Sequence, residues 1–373
     1  MSAAAALAEA MAPARLLLGA VVWRDTRALL FTLASCGIAS VVAAFQLAVY
    51  TSFLLASSAP PRLFAADLWL MDRSIEVFDM PTPMAEEMAA AVASEFPGAV
   101  TQRMVVGFAP WSGPAGARGN VLLIGMDDAP LGAREFRVDA SEMARLALRR
   151  VGDEAAIGGV TMRFAGGMRG LASYIGAPYA VVPFDVGRAI LRYPAGQVAF
   201  VAVRLNGGRP ADFAARLARL QARWPDVGFR EGKDFIASSA AYWQNKTGAG
   251  AAILLAAGLA MGLNALLLVN GVGRFVQRRQ ADIISLIGHG STRAQIGSIL
   301  VGVASLLVAG AYLATLLLCP LLDVATDAWL PWVHFTPVNA LAAGVVALLC
   351  WGVAVVASLG ELRRFPADAI FRS

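Results

Sequence analysis

Four long apolar runs constrain this chain more than any other feature of its sequence. Each run has more than 20 residues, and about 20 are enough for an α-helix to cross the hydrocarbon core of a bilayer. Because backbone groups left unpaired in lipid are costly, such runs fold there as helices. We therefore predict four transmembrane helices, at residues 28–56, 247–273, 297–322 and 338–360.

The composition agrees with a membrane location. The chain has 373 residues, of which 58% are hydrophobic and only 15% charged, and its mean hydropathy is +0.62. A soluble protein of this size is less apolar. The three cysteines, Cys36, Cys319 and Cys350, fall in apolar runs, so neither a disulfide framework nor a zinc site is indicated. With only His289 and His334 present, histidine metal chemistry is not expected either.

The chain between the first two runs has a different character, with short strand and helix patterns separated by turn residues. It spans residues 57–246, which is long enough to bury a core of its own. We predict a large α+β extracytoplasmic domain, inserted between transmembrane helices 1 and 2. The predicted strands are 66–71, 121–126, 160–164, 179–182 and 197–205, and the predicted helices are 83–96, 141–149, 184–191 and 210–224. A further helix, 233–246, is expected to run directly into the second span.

The basic residues indicate the orientation of the chain, because cytoplasmic loops of membrane proteins carry an excess of Lys and Arg. Ten of the 31 basic residues lie outside the inserted domain. They occupy three segments, 1–27, 274–296 and 361–373. The loop at 323–337 has none and is acidic. We therefore expect cytoplasmic termini and a cytoplasmic central loop, with the inserted domain and the acidic loop outside. Residues 1–14 lack the basic region of a cleavable signal peptide, so the first span is expected to be retained.

The central loop, residues 274–296, is basic and amphipathic. Its apolar positions recur at helical spacing, and arginines supply positive charge at both ends. The apolar positions are Ile283, Leu286, Ile287 and Ile296, and the arginines are Arg274, Arg278, Arg279 and Arg293. We predict a helix lying at the cytoplasmic membrane surface. The alternative is an ordinary positively charged loop.

The residue order in the central loop resembles the loop between the second and third membrane helices of MacB/FtsX-type permeases, the type VII ABC transporters. The matching positions are Asp282, Ile283, Leu286, Gly290, Ser291, Thr292, Arg293, Gln295 and Ile296. In that family the segment is a coupling helix that docks into a separate ATP-binding cassette subunit. The resemblance implies a role in ATPase coupling for Arg278, Arg279, Asp282, Ile283, Leu286, Gly290, Thr292 and Arg293. The chain departs from the family pattern at Asp282, Ile284 and Ile287, where Glu, Gly and a basic residue are usual.

Elsewhere the chain resembles the DevC branch of this family. The similar stretches are FQL at 45–47, ADL at 66–68, VLLIGMDDAP at 121–130, YW at 242–243 and RRFPADAIF at 363–371. The resemblance implies a homodimer in the bacterial inner membrane, an ABC ATP-binding subunit, a periplasmic membrane-fusion adaptor and, through the adaptor, a TolC-like outer-membrane channel. The implied function is export of glycolipid, lipid-like or hydrophobic compounds. Lipoprotein extraction and FtsX-like signalling to a cell-wall hydrolase, without transport, are the alternatives.

Two pairs of residues within the spans are predicted to make helix contacts. Gln46 and Tyr50 are four apart on one face of the first span, where polar groups seek another helix or a second protomer rather than lipid. The alternative for Tyr50 is anchoring at the membrane interface. Gly258 and Gly262 are four apart in the second span and form a small-residue face that permits close helix approach.

The sequence contains no pattern typical of an enzyme. Lys233 and Lys246 are the only lysines and neither lies in a P-loop, so ATP is expected to bind a partner subunit. The inserted domain has no histidine or cysteine, which excludes Ser-His-Asp and Cys-His centres within it. The paired acids at 86–87, 127–128 and 153–154 are expected to be solvated surface. We expect no catalytic, cofactor or metal site in this chain. The domain has 21 basic and 19 acidic residues, which favours protein partners over nucleic acid.

Overall fold

The structure is a computed structural model, and it describes residues 26–278, 280–288 and 291–363. The chain divides into two compact units. Within the described ranges, the membrane unit comprises residues 26–51, 252–324 and 334–363, and the inserted domain comprises residues 52–251 together with 325–333.

The described helices and strands are named here in chain order. They are α1 (Thr26–Ala56), α2 (Ala59–Phe64), β1 (Leu68–Asp72), β2 (Met84–Ala85), α3 (Met88–Glu95), β3 (Ala99–Ser112), β4 (Arg118–Met126), β5 (Glu135–Asp139), β6 (Glu154–Ile157), β7 (Val160–Met168), β8 (Tyr179–Pro183), α4 (Phe184–Leu191), β9 (Gln197–Val198), β10 (Phe200–Leu205), α5 (Phe213–Arg223), β11 (Val227–Glu231), α6 (Gly232–Asn245), α7 (Ala249–Arg278), α8 (Gln280–Gly288), α9 (Arg293–Thr326) and α10 (Pro337–Arg363).

Four of these helices are long and apolar enough to cross a membrane. The candidate spans are Leu29–Ala56, Ala249–Arg274, Ala294–Thr326 and Pro337–Ala357. A large domain of helices and strands lies between the first and the second of them. The fold class predicted from the sequence is therefore confirmed.

The four long helices differ in how much of their surface the chain itself covers. In the most apolar stretch of each helix, 44% of the residues of α1 and α9 are buried, against 17% for α7 and α10. The shared core includes Cys36, Leu268, Val303, Leu307 and Cys350. Consequently α7 and α10 present wide apolar faces that the described part of the chain leaves uncovered.

Side-chain hydrogen bonds join helices within the membrane unit. Asn264 Nδ2 on α7 donates to Ser40 Oγ on α1 at 3.4 Å. Asn339 Nδ2 on α10 donates to Thr51 Oγ1 on α1 at 2.6 Å. Such bonds satisfy polar groups that would otherwise lie unpaired among apolar side chains. Both asparagines are 2% exposed, so these contacts help to fix how α7 and α10 pack on α1.

The inserted domain is built on one nine-stranded sheet. Its strand order is β11-β1-β10-β3-β4-β8-β5-β7-β6, and most neighbouring strands are antiparallel, whereas β4–β8 and β5–β7 are parallel. The last strand, β6, also pairs with β3, with Trp111 opposite Ile157. The strands β3, β4, β8, β5, β7 and β6 therefore form a closed ring, from which β10, β1 and β11 extend as an open sheet.

Alternation of side chains along the strands creates separate cores on the two faces of the open sheet. On one face, Leu68 and Leu70 of β1 pack with helices α3 and α5. On the other face, Trp69 and Met71 pack with Phe235 of α6. The ring encloses a third core, which contains Trp111, Val121, Leu123, Phe136, Val138, Ile157, Met162 and Phe164.

The helix predicted at 141–149 is wrong. Only a short 3₁₀ turn, Ala140–Glu142, forms there. The Glu142 carboxylate accepts the backbone N–H of Ser173 at 3.0 Å, and Ala147 has a φ of +57°, which an α-helix does not contain. Contacts with a distant loop therefore override the helical pattern of this stretch.

Two other local expectations were also incomplete. β3 has 14 residues but was not predicted, because Gly107 and Pro110 interrupt its apolar alternation. The helix predicted at 83–96 begins only at Met88, since Met84 and Ala85 form a short strand with β9.

The expected continuous path from α6 into the second span is also wrong. α6 ends at Asn245 and α7 begins at Ala249. Between them, Gly248 has a φ of +74°, a backbone conformation that favours glycine. Thr247 Oγ1 accepts the backbone N–H of Ala249 at 3.3 Å, a local side-chain-to-backbone bond typical of turns. A tight turn therefore separates the two helices.

A close approach of backbones between α4 and β4 gives a test of this fold. A Cβ added at Gly187 would lie 2.5 Å from Gly125 Cα, so Gly187→Ala should lower the free energy of unfolding by about 1–3 kcal/mol. Gly119→Ala is the matched control in β4, because a Cβ there meets no atom within 4 Å. Thermal unfolding of the full chain in detergent, followed by tryptophan fluorescence, measures the stability of both variants. Equal shifts of the unfolding temperature in the two variants would contradict the close approach of α4 and β4.

Candidate functional site

The central loop consists of three pieces of helix. α7 continues to Arg278, the nine-residue helix α8 follows from Gln280 to Gly288, and α9 begins at Arg293. Arg274 and Arg278 are exposed at the end of α7. The described residues of α8 thus lie between two candidate membrane spans.

Thr292 and Gln295 form a reciprocal cap at the start of α9. The Gln295 Oε1 atom accepts the backbone N–H of Thr292 at 2.9 Å, and Thr292 Oγ1 accepts the backbone N–H of Gln295 at 3.3 Å. This arrangement satisfies two backbone donors at a helix terminus that have no partner within the helix. The Thr-x-x-Gln spacing before an apolar run is its sequence signal, and the family resemblance had assigned Thr292 to ATPase coupling instead.

The remaining residues assigned to ATPase coupling are distributed over these pieces. Asp282, Ile283 and Leu286 belong to α8, and Arg293 is the first residue of α9. Asp282 is partly exposed. Arg279 and Gly290 lie outside the described residues, as do the side chains of Ile283, Leu286 and Arg293. Their role in coupling stays a prediction.

Ile296, the last residue of the loop pattern, faces the protein interior. It is 1% exposed and lies one residue before Gly297, where a Cβ would approach Leu359 Cδ2 to 3.2 Å. The end of the pattern therefore has a structural explanation, because Thr292 and Gln295 cap α9 and Ile296 packs it. A role of Thr292 in contact with a partner stays a prediction as well, since its side chain is exposed.

The two glycines predicted to permit close helix approach make no such approach to the residues that the structure describes. Gly258 and Gly262 are exposed, and a Cβ at either would meet no atom within 4 Å. Close approach occurs instead at Gly271, where a Cβ would lie 2.8 Å from Thr32 Cγ2 on α1. Gln46 and Tyr50, the polar pair predicted to make helix contacts on α1, are both half-buried.

Paired acids of the inserted domain take part in structural ion pairs. Arg103 Nε and Nη2 donate to the two carboxylate oxygens of Asp127 at 2.8 and 2.9 Å, and its other nitrogen pairs with Glu86. These hydrogen bonds hold the pKa of Arg103 above its usual value. Arg188 adds a second cation to Glu86 at 3.3 Å. This network joins the residues that follow β2 and β4 to β3 and α4. Sequence reasoning missed it because its members are far apart in the chain.

The acid pair Asp153 and Glu154 is likewise accounted for by local structure. Asp153 Oδ2 accepts the backbone N–H groups of Arg149 at 2.7 Å and Arg150 at 3.1 Å. These two backbone bonds lower the pKa of Asp153, which keeps the carboxylate ionised. Glu154 begins β6 and is exposed. Asp153 therefore stabilises the turn that precedes β6.

Two solved structures are similar to part of this chain. The periplasmic region of MacB from Actinobacillus actinomycetemcomitans is 7% identical with a TM-score of 0.36, covering 46% of this chain and 91% of that chain. The extracellular domain of the noncanonic ABC-type transporter YknZ from Gram-positive bacteria is 13% identical with a TM-score of 0.33. The match covers 44% of this chain and 99% of that chain. No protein-family profile and no curated protein matches the chain.

The cap at the start of α9 predicts a local effect of mutation. Thr292→Ala removes one capping acceptor and should destabilise the first turn of α9 by about 1 kcal/mol, whereas Thr292→Ser should retain it. Hydrogen exchange of the amides at 293–298 in the full chain measures this, and it should be several times faster in the alanine variant. Ser291→Ala is the control, because Ser291 lies outside the cap; faster exchange in that variant as well would contradict the assignment.

Proposed function

We propose that this chain is the permease subunit of an ABC-type transporter and is driven by a separate ATP-binding subunit. The observation that carries the proposal is the helical structure of residues 280–288, which lie between two candidate membrane spans. The exposed residues Arg274 and Arg278 precede them, and the capped start of α9 follows. A helical segment in this position can pass a displacement by a partner to the spans that precede and follow it in the chain. The resemblance of the loop to MacB/FtsX-type coupling segments supports the same role.

The orientation follows from charge. Basic residues outside the inserted domain concentrate at 1–27, 274–296 and 361–373, and the positive-inside rule places such segments in the cytoplasm. The proposed location is the bacterial inner membrane, with both termini and α8 facing the cytoplasmic ATPase. The inserted domain then lies on the opposite side, in the periplasm.

The uncovered face of α7 supports a homodimer. Gly258 and Gly262 form an open, small-residue stripe, and the neighbouring Leu255 and Leu259 are 64% and 66% exposed. Small residues let the backbone of a second helix approach closely, and the leucines supply dispersion contacts on either side. We propose that α7 meets its counterpart in a second protomer along this face, with Gln46 and Tyr50 of α1 as further contacts.

The proposed cargo is glycolipid, lipid-like or hydrophobic, exported through a periplasmic membrane-fusion adaptor and a TolC-like outer-membrane channel. The DevC-like stretches of the sequence support this assignment. Lipoprotein extraction and FtsX-like control of a cell-wall hydrolase are the competing functions. An adaptor and channel purified with the protein favour export, whereas a wall-remodelling partner favours signalling.

Co-purification of the ATPase tests the coupling role of α8. Asp282→Arg reverses a charge on α8 and should reduce the yield of the ATP-binding subunit in a pull-down from mildly crosslinked native membranes at least several-fold. Asp327→Arg is the matched control, since Asp327 is an exposed acid between α9 and α10. Equal yields from the two variants would exclude α8 as the docking element, and absence of any ATP-binding subunit from the wild-type sample would exclude the proposed function.

A second experiment tests the dimer face. Gly258→Leu fills the open stripe and should lower the fraction of dimer, measured by single-molecule photobleaching in nanodiscs, without affecting monomer folding. Ala252→Leu is the control at the exposed start of the same helix. An unchanged dimer fraction would place the protomer contact elsewhere.

A further inference from the structure

Asp79 is a carboxylate buried in the inserted domain, apart from the ion pairs described above. It is 4% exposed and accepts hydrogen bonds from Tyr179 Oη at 2.5 Å and Tyr174 Oη at 3.2 Å. The Trp243 indole also lies near this carboxylate, although its Nε1 atom makes no hydrogen bond to a described residue. A buried carboxylate that accepts from two neutral hydroxyls, and has no ion pair with a described residue, is costly to keep ionised.

Tyr174 belongs to a loop that is tied to the ring. We name residues 169–178 the tie loop. Its backbone is held at three points by the segment between β5 and β6. Asp139 accepts the N–H of Leu171 at 2.7 Å, Glu142 accepts the N–H of Ser173, and Arg145 donates to the carbonyl of Gly176. The tie loop therefore moves with the ring.

The Tyr174 ring also contacts residues near both ends of the inserted domain. Its ring packs edge-on against Phe53 at 5.4 Å between centroids and against Trp243 at 5.1 Å. Phe53 lies in the last turn of α1, and Trp243 lies in the last turn of α6, shortly before α7 begins. Tyr174 thus sits where the chain enters and leaves the domain.

Two further contacts hold the end of α6 to the segment that contains Asp79. Tyr242 Oη donates to Met80 Sδ at 3.9 Å, and Lys246 Nζ pairs with Glu76 at 2.6 Å. The Lys246 ion pair is largely exposed, so it contributes little by itself. The buried group that joins all these elements is Asp79.

We propose that Asp79 with Tyr174, Tyr179 and Trp243 forms a proton-operated latch, which closes the tie loop on the ends of α1 and α6 when Asp79 is protonated and loosens when it ionises. The pH of the solution around the inserted domain then sets how firmly the ring is joined to the segments that lead to the membrane spans. This property belongs to the domain itself and does not depend on which ATPase or adaptor binds the chain.

The direction of the effect follows from burial. Burial raises the pKa of Asp79 to about 6, and the hydrogen bonds from Tyr179 and Tyr174 only partly oppose it. A group with a raised pKa in the closed state binds its proton more tightly there, so the closed state is favoured fully below pH ~4 and loses that advantage as the pH rises through about 6. The difference of about two pH units corresponds to about a hundredfold change in the ratio of closed to open states, of which about tenfold falls between pH 5.0 and 7.5.

Other charged groups lie near the latch. Glu142 lies on the ring side and acts electrostatically on Tyr179, and its own pKa is also raised by burial, with Arg145 opposing that shift. Glu76 and Lys246 lie on the α6 side and neutralise each other. The inserted domain contains no histidine. Glu142 is therefore the one group that the experiment must separate from Asp79.

Hydrogen exchange of the full chain in nanodiscs, corrected for the intrinsic pH dependence of amide exchange, tests the latch. In the wild type, amides at 171–178 and 240–246 should be protected about tenfold more at pH 5.0 than at pH 7.5. Asp79→Asn keeps the shape and an acceptor but cannot ionise, so its protection should be the same at both pH values. Asp128→Asn, an exposed acid, should behave as the wild type.

Two further variants keep the proposal testable if Asp79→Asn folds poorly. Tyr174→Phe removes a hydrogen bond that lowers the pKa of Asp79, so the midpoint of the protection profile should move to higher pH. Glu142→Gln should leave that midpoint in place. Wild-type protection that does not change with pH, or a pH dependence that survives Asp79→Asn and disappears in Glu142→Gln, would overturn the proposal.

Discussion

The inserted domain depends on β3 being hydrogen-bonded to different strands along its length. Residues 99–104 pair with β10 of the open sheet, residues 104–112 pair with β4, and the last two residues also pair with β6. One strand therefore belongs both to the open sheet and to the ring. Because a shift of register by one residue would turn every side chain to the opposite face, the cores on both sides of β3 fix its alignment together. Movement of the ring relative to the open sheet must bend or twist this strand.

Hydropathy predicted the membrane helices because their formation depends on local composition alone. A run of more than 20 apolar residues has few alternatives in a bilayer, whatever the rest of the chain does. Local sequence was also sufficient for α4 in the inserted domain, where the predicted and observed ranges coincide at Phe184–Leu191. The ring could not be predicted in this way, because it is closed by a pairing between residues 111 and 157 that leaves no local pattern in the sequence.

The central loop shows both the strength and the limit of a motif. The order of residues from Asp282 to Ile296 led to the family resemblance, yet the structure gives Thr292, Gln295 and Ile296 roles in capping and packing α9. These roles could have been derived from the Thr-x-x-Gln spacing and the apolar run that follows it. The contact with a partner subunit could not be derived in this way, because the sequence of one chain contains no information about the surface of another. Asp79 was missed for a different reason: its donors lie about 100 residues away, and an isolated acid carries no signal of burial.

The turn between α6 and α7 affects how movement can pass along the chain. Gly250, in the first turn of α7, lies so close to α6 that a Cβ there would be 2.5 Å from Gln244 Cα. Gly248 provides the backbone conformation for the turn, and Gly250 provides the space that the end of α6 needs. A side chain at position 250 would force the turn to open. Because no continuous helix joins α6 to α7, a displacement of α7 can reach α6 along the chain only through the backbone of residues 246–248.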